Sequence, residues 1–241
     1  MPRVPKWLGD TMDAVFSHYV HAVTVAETEY IHPDLRRVCF TGDFQRIDFK
    51  VTQAVAFRVT DTHYRNYTPV TFDAVKGQCS VYFYLHAGGP GSRFARQLQV
   101  GDTVKMVEPR GRSLYRTDSK YHFFFGDETS LGLFSSLTHQ VHANNQEYFG
   151  VLELRDTCTA LPEQAGLMLD IVPRSETPAA NAIHYIDTLH ERVWQVWHTA
   201  VFYLTGNAHS IRAFRKALLG RGVAEKNIVV QPYWAEGKEG L

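Results

Sequence analysis

The sequence contains few cysteines, no excess of either charge and no long apolar run. Its three cysteines, Cys39, Cys79 and Cys158, show neither CxxC nor zinc-finger spacing, so we interpret them as small buried side chains of a reducing compartment. Lysine plus arginine and aspartate plus glutamate each number 25, and this balance argues against a protein that mainly neutralises nucleic-acid phosphates. No run is long enough to cross a bilayer, and the N-terminus lacks the apolar stretch of a secretory signal. We therefore expect a cytoplasmic protein without membrane insertion and without nucleic acid.

The histidines are numerous, but their spacing does not indicate a metal site. Twelve occur, and His139 and His142 stand three residues apart on a predicted helix, where both side chains share a face. The sequence has no HExxH motif and no third ligand near this pair. We expect no resident metal ion.

Short strand-like runs separated by glycine-containing turns occupy the first half of the chain. Closely spaced strands of this kind predict an antiparallel sandwich or barrel, which we place at residues 18–117. The runs that predict strands are Leu35–Thr41, Val55–Thr60, Tyr67–Phe72, Cys79–His86 and Thr103–Val107.

After Tyr121 the pattern changes to strands that alternate with helices. This order predicts an α/β domain with a parallel sheet at residues 120–241, joined to the first domain near 114–120. Ligands bind at the carboxyl ends of such strands, so the turns after Phe125 and Leu204 are candidate binding segments beside an expected interdomain cleft. The strand predictions are Tyr121–Phe125, Tyr148–Leu154, Met168–Val172, Thr199–Leu204 and Ile228–Val230.

Two segments of the first half carry groups suited to a flavin dinucleotide. Arg65, Tyr67 and Thr68 stand at the start of a predicted strand. They offer a planar fork for a pyrophosphate, a flat ring face and a hydroxyl for a ring nitrogen. A Gly-Pro-Gly turn follows His86 and places Ser92 at a predicted helix start, where backbone amides can bind phosphate. An ordinary edge strand and an ordinary turn would also explain these segments.

Taken in order, these and later segments resemble the siderophore-interacting protein family, a branch of the ferredoxin–NADP reductase-like superfamily. The resemblance implies a six-stranded-type FAD-binding β-barrel followed by an NAD(P)-binding α/β domain. It extends from about Val20 to Gly237. The segments that carry it are Arg65-x-Tyr67-Thr68, His86-x-x-Gly-Pro-Gly-Ser92-Arg93-Phe94-Ala95, Gly101-Asp102, Pro109-Arg110-Gly111, Gly126-Asp127-Glu128-Thr129 and Tyr233-Trp234.

The resemblance also implies residue roles. It places Thr68 near the flavin N5 edge, and it places Asp127, Glu128 and Thr129 in a turn beside the flavin, as candidate catalytic residues. Asn207 and Val70 depart from the family pattern, which leaves coenzyme choice and flavin phosphate contacts open. The implied cofactor-binding residues are Arg65, Tyr67, Thr68, His86, Gly89, Gly91, Ser92, Arg93, Thr205, Gly206, Arg212, Arg215, Tyr233 and Trp234.

The implied activity is electron transfer from NADPH or NADH through FAD to a ferric siderophore, carried out by a monomer with iron as substrate. Two alternatives remain open, namely a general flavin or quinone reductase and a flavin- or siderophore-binding protein without catalysis. Arg212 and Arg215 either bind the 2′-phosphate of NADPH or form a solvated helix face. Tyr233 and Trp234 either cover the flavin or pack in the core.

Two further expectations concern the surface. Because many ferric siderophores are anionic, we expect a locally basic cleft that draws on Lys105, Arg110, Arg112, Arg116 and Lys238. The apolar residues Trp7, Leu8, Met12, Val15 and Phe16 predict a short amphipathic helix near the N-terminus.

Overall fold

The computed structural model describes residues 19–86 and 88–237, which form two compact units that divide between Ser113 and Leu114. The helix expected between Trp7 and Phe16 lies outside the described residues, as does Lys238. No helix within the described ranges is long and apolar enough to cross a membrane. Cys39, Cys79 and Cys158 are buried and unbridged, as predicted.

The first unit confirms the expected antiparallel β fold, with seven strands in one sheet. Its described residues include one α-helix, α1 (Pro90–Gln97). The strands are β1 (Val20–His32), β2 (Leu35–Thr41), β3 (Ala54–Thr60), β4 (His63–Tyr67), β5 (Pro69–Asp73), β6 (Gln78–Tyr84) and β7 (Thr103–Arg110). Their order in the sheet is β4-β3-β7-β1-β2-β6-β5.

The sheet curls so that its two sides approach each other. β4 is one edge of the sheet and β6 is next to the other edge, yet the rings of Tyr67 and Phe83 on these strands lie 4.5 Å apart. Phe40 and Phe57 complete the contact from β2 and β3, with ring centroids 4.9 Å apart. These phenylalanines are at most 1% exposed, so the inside of the curl is the hydrophobic core.

The prediction of a single strand over Tyr67–Phe72 is wrong. β4 ends at Tyr67 and β5 begins at Pro69, and the two strands lie at opposite edges of the sheet. Proline has no N–H to donate to a ladder, which suits it to the first position of an edge strand. Arg65 and Tyr67 therefore stand at the end of a strand, and Thr68 is the link between two strands.

The second unit confirms the expected parallel α/β sheet. Its five strands, numbered in chain order, lie side by side in the order β10-β9-β8-β11-β12. These strands are β8 (Tyr121–Gly126), β9 (Glu147–Leu154), β10 (Asp170–Pro173), β11 (Val201–Asn207) and β12 (Ile228–Trp234). The α-helices are α2 (Leu131–Ala143), α3 (Leu161–Gln164), α4 (Ala180–Thr188), α5 (Glu191–Trp197) and α6 (Ala208–Gly220). Short 3₁₀ helices cover Glu128–Ser130, Asp156–Cys158 and Glu225–Asn227.

The order of this sheet reverses direction between β8 and β11. From β8 the chain proceeds through β9 to β10 on one side, and it returns with β11 and β12 on the other side. The carboxyl ends of the two strands flanking such a reversal form the usual ligand crevice of an open α/β sheet. Asp127 follows β8, and Asn207 ends β11.

Two element boundaries in this unit differ from the prediction. Met168 lies outside the strand that was expected to begin there, because β10 starts at Asp170 and the Met168 side chain is 86% exposed. The turn expected at Thr205, Gly206 and Asn207 is wrong, since β11 continues through all three residues. Gly206 permits this extension by adopting φ +96°, a conformation that side chains with a Cβ rarely adopt.

Candidate functional site

The N-terminus of helix α1 carries hydrogen-bond donors for which the described residues supply no side-chain cap. Gly89 occupies the N-cap position and provides no side-chain cap, and Pro90 begins the helix. The amides of Gly91 and Ser92 belong to the first turn, where no intrahelical acceptor exists. The hydroxyl oxygen of Ser92 is buried and has no partner among the described residues. This combination suits a bound anion.

Arg65 and Tyr67 lie directly over this helix start. A Cβ atom built on Gly91 would collide with the Tyr67 hydroxyl and would lie 3.6 Å from Cγ of Arg65. Burial raises the pKa of Tyr67 well above its usual value, so the phenol is a neutral donor at physiological pH. Glycine at position 91 thus leaves room for a cradle formed by the Tyr67 hydroxyl, the aliphatic stem of Arg65 and the amides of α1. The guanidinium of Arg65 donates a hydrogen bond from Nη1 to the Tyr64 carbonyl at 2.9 Å.

The other expected cofactor-binding residues of the first unit differ in how exposed they are. His86 is exposed, and its ring lies so close to Gly89 that a Cβ there would displace it. Thr68 is 8% exposed in the link between β4 and β5. Arg93 is exposed, and its guanidinium donates a hydrogen bond to the carbonyl of Gly88. Its charge therefore faces the glycine loop before α1.

In the second unit, the Asp127 carboxylate connects the ends of three strands. Its Oδ1 accepts hydrogen bonds from the amide of Thr129 at 2.9 Å and from the Thr129 hydroxyl at 2.5 Å. Its Oδ2 accepts from the Asn207 amide at 2.9 Å and from the Trp234 indole Nε1 at 2.8 Å. Burial raises the pKa of Asp127, and the donors from Thr129 and Trp234 oppose that change. These four donors hold the carboxylate between the ends of β8, β11 and β12.

Glu128 is held in a buried ion pair beside this carboxylate. The side chain is 1% exposed, and its Oε1 accepts a hydrogen bond from the Arg155 amide at 2.9 Å. Its Oε2 contacts the guanidinium of Arg174, which also lies 5.7 Å from the centre of the Trp234 ring. Arg174 thereby links the turn after β8 to the end of β12.

The chain's own oxygens cap the helices on both sides of the sheet reversal. Asp127 and Ser130 form a capping box at the short helix that leads into α2. The Asn207 Oδ1 accepts from the amide of His209 at 2.7 Å and from the amide of Ser210 at 3.3 Å at the start of α6. Neither helix start therefore resembles the open glycine-rich loops that bind dinucleotide phosphates.

Thr205 and Gly206 hold the two strand ends together. The Thr205 hydroxyl donates to the Ser130 hydroxyl at 2.6 Å, and both residues are buried. A Cβ on Gly206 would lie 2.6 Å from Cγ of Asp127. Asn207, which departs from the family pattern, thus has a structural task in this chain as the cap of α6.

The arginines of α6 have different surroundings. Arg215 forms an ion pair with Glu225, while Arg212 is exposed and has no ion pair among the described residues. Arg212 is therefore the freer of the two to meet a phosphate. Tyr233 and Trp234 end β12 and are both half-buried.

Sequence reasoning missed Arg174, Arg155 and Ser130 as members of this cluster. Arg174 follows β10 and stands 46 residues after Glu128, with no motif around it. The only available signal was its place just after a strand of a parallel sheet, where side chains from separate strands meet.

Comparison with known proteins links both units to one family. Residues 50–113 match the family model described as "Siderophore-interacting FAD-binding domain", and residues 119–237 match the one described as "Siderophore-interacting protein". Together the two matches span most of the chain.

The individual relatives are distant. A 67-residue segment is 33% identical to the NADPH-dependent ferric-chelate reductase of Escherichia coli K12, and it spans only 28% of this chain and 26% of that protein. The siderophore interacting protein of Acinetobacter baumannii superposes with a TM-score of 0.73 at 17% identity, covering 91% of this chain and 92% of that one. Ferredoxin-NADP+ reductase from Plasmodium falciparum superposes with a TM-score of 0.67 at 12% identity, covering 88% and 95%. Both superpositions show the shared fold.

Proposed function

The chain belongs to the siderophore-interacting protein family, and from this membership we propose that it is an FAD-dependent reductase. In this proposal it takes electrons from NADPH or NADH and delivers them to a ferric siderophore. Residues 18–117 would bind FAD, and residues 120–241 would bind the nicotinamide coenzyme. The resemblance of one segment to a ferric-chelate reductase supports the choice of reaction class.

The observation that carries the proposal is the anion cradle of the first unit. Arg65, the Tyr67 hydroxyl and the first-turn amides of Gly91 and Ser92 are donors that would suit a pyrophosphate, although Nη1 of Arg65 already donates to the Tyr64 carbonyl. The Ser92 hydroxyl, which has no partner among the described residues, would be a further donor. None of these donors carries a negative charge, which suits a diphosphate with two negative charges. These residues would hold FAD by its pyrophosphate.

Bound FAD would supply the conversion of a two-electron hydride into single electrons, which amino-acid side chains do not provide. The protein's contribution is to bind and orient. Arg65 would neutralise phosphate charge, and the buried Thr68 hydroxyl would meet the polar edge of the ring system. In the second unit, Asp127 and Arg174 would keep Trp234 in one place.

Iron enters this scheme as the substrate. One hydride carries two electrons, so each nicotinamide oxidised reduces two ferric ions to ferrous ions. Ferrous iron is the softer ion and binds hard oxygen chelators less tightly, so release follows reduction. No tightly shaped pocket is required for such a transfer, and we expect several ferric chelates to react.

The decisive experiment is the visible spectrum of the purified full-length chain. We expect a flavin spectrum, retained or restored with FAD, that bleaches on anaerobic addition of NADPH or NADH and recovers when a ferric siderophore is added. Ferrous iron is counted with a chelating dye. A colourless protein that FAD does not restore would refute the proposal.

The occupied helix starts of the second unit favour one other candidate, a flavin-binding protein without reductase activity. Because Asp127 and Asn207 cap both helices beside the sheet reversal, no open phosphate loop is present at those two starts. In that case FAD binds but neither coenzyme bleaches it. The same spectrum therefore separates the two candidates.

The basic residues expected around the substrate give a second test. Arg116 is already paired with Asp118 at 2.9 Å, whereas Arg112 is exposed. If electrostatic capture operates, kcat/KM for anionic ferric chelates falls as the salt concentration rises. A flat salt dependence would contradict a basic substrate cleft while leaving the reductase activity intact.

A further inference from the structure

Arg36 on β2 is a buried cation that meets no carboxylate among the residues the structure describes. The residue is only 6% exposed. Within residues 19–86 and 88–237 no aspartate or glutamate forms an ion pair with it, and its Nε has no hydrogen-bond partner. Burial of an arginine charge is costly unless other groups compensate it. The compensating groups here are the Tyr30 ring, whose centre lies 5.1 Å from Cζ of Arg36, and a set of backbone carbonyls.

Those carbonyls all belong to the C-terminal end of α1. Nη1 of Arg36 donates to the carbonyls of Ala95 at 2.5 Å and Arg96 at 3.1 Å, and Nη2 donates to that of Leu98 at 2.7 Å. Carbonyls at a helix end lack intrahelical donors and form the negative pole of the helix dipole. Arg36 therefore satisfies three of these acceptors and places a positive charge on that pole.

The opposite pole of the same helix is the cradle proposed for the pyrophosphate. α1 has eight residues, so its two ends are separated by about 12 Å at 1.5 Å per residue. The positive charge of Arg36 at one end and an anion at the other stabilise the same helix dipole in the same sense. Gly89 provides no side-chain cap at the N-terminal end. The hydrogen bonds from Arg36 hold the C-terminal end instead.

We infer that Arg36 is a positioning residue for the FAD pyrophosphate. Arg36 would act through α1 and would not contact the pyrophosphate itself. Arg36 fixes the helix by its C-terminal carbonyls and thereby fixes the amides of Gly91 and Ser92 that would face the phosphates. This inference rests on the proposed function, because it requires that the cradle binds FAD.

The test is FAD affinity in the full-length chain, measured by quenching of flavin fluorescence on titration of the apoprotein. Arg36→Met should raise the Kd for FAD about tenfold, the equivalent of losing one good interaction. Arg36→Lys keeps the charge but not the fork and should recover part of the affinity. The matched control is Arg37→Met, because Arg37 is the next residue and pairs with Glu29 on the exposed face.

Two further measurements distinguish a positioning role of Arg36 from a contribution to the stability of the fold alone. The absorption spectrum of bound FAD should be unchanged in Arg36→Met, since the side chain is remote from the ring in this scheme. Urea unfolding of each apoprotein gives its stability. A lowered stability with an unchanged Kd for FAD would overturn the inference, and so would an equal loss of affinity in Arg37→Met.

The experiment remains decisive if Arg36→Met does not fold. Arg36→Lys then carries the test, and a Kd within about twofold of the wild-type value overturns the inference, whereas a several-fold weaker Kd supports it. Wild-type protein that binds no FAD would instead refute the proposed function itself. The two failures are therefore distinguishable.

Discussion

Glu153 offers a sharp test of the electrostatics of the second unit. It lies on β9, is 3% exposed, and has one carboxylate oxygen, Oε1, for which the described part of the chain supplies no hydrogen-bond partner. Burial raises its pKa from 4.5 to about 6, although the amides of Ala182 and Ala179, the Ser210 hydroxyl and the charge of Arg174 all act to lower it. The perturbation is Glu153→Gln, which resembles the protonated carboxyl and does not titrate.

The magnitude follows from the change in proton affinity. A pKa raised from 4.5 to about 6 corresponds to about 2 kcal/mol. Because the folded state holds the proton more tightly, this contribution is fully present below pH 4.5 and is lost as the pH rises through about 6. Between pH 5 and pH 7.5 the wild type should therefore lose about 1 kcal/mol of stability that Glu153→Gln does not lose.

The assay is urea unfolding at several pH values, followed by tryptophan fluorescence. Trp194, Trp197 and Trp234 all belong to the second unit, so the signal reports mainly its unfolding. The control is Glu147→Gln on the same strand, where the carboxylate is exposed and 3.2 Å from Lys120. The stability difference between Glu153→Gln and wild type should grow with pH. A difference that stays constant, or that shrinks as the pH rises, would refute the reasoning.

Three other outcomes are expected. Burial lowers the pKa of His122, so the wild type should lose stability as the pH falls below about 6.5, and His122→Gln should show a shallower loss in acid unfolding curves. Gly206→Ala should destabilise the protein by at least about 1–3 kcal/mol in urea titrations, because alanine would be strained at φ +96° and would press on Asp127. Arg212→Ala should raise KM for NADPH but not for NADH in steady-state assays, with a smaller effect for Arg215→Ala because Glu225 already pairs with that side chain; equal effects on both coenzymes would contradict a 2′-phosphate contact.

Local patterns in the sequence predicted the fold class of both units and most of their strands. The nearly continuous apolar run at Tyr121–Phe125 predicts a buried parallel strand, and β8 is one. The long strand β1 and the short strand β4 were not predicted, because each mixes polar and apolar residues and keeps a regular alternation over only part of its length. Their pairing partners, and not their own composition, make them strands.

The candidate site was predictable where it depends on strand ends. The strand ends near Phe125 and Leu204 were expected to carry ligand-facing residues. Asp127 and Asn207 lie at that sheet reversal, although β11 runs three residues further than expected. What those residues contact was not predictable from their spacing. The Asp127 carboxylate accepts hydrogen bonds from residues 80 and 107 positions away, and only the parallel sheet brings those donors together.

Arg36 shows most clearly what the sequence alone determined and what depended on the tertiary structure. In sequence it is one of two arginines in a strand-like run, and alternation alone indicates only that the two side chains point to opposite faces. Arg37 forms an ion pair with Glu29 on the exposed face of the sheet. Arg36 is buried under the end of a helix that begins 54 positions later. The local pattern determined that a strand would form here. Only the packing of α1 against the sheet decided which charge would be buried, because burial depends on a neighbour distant in the chain.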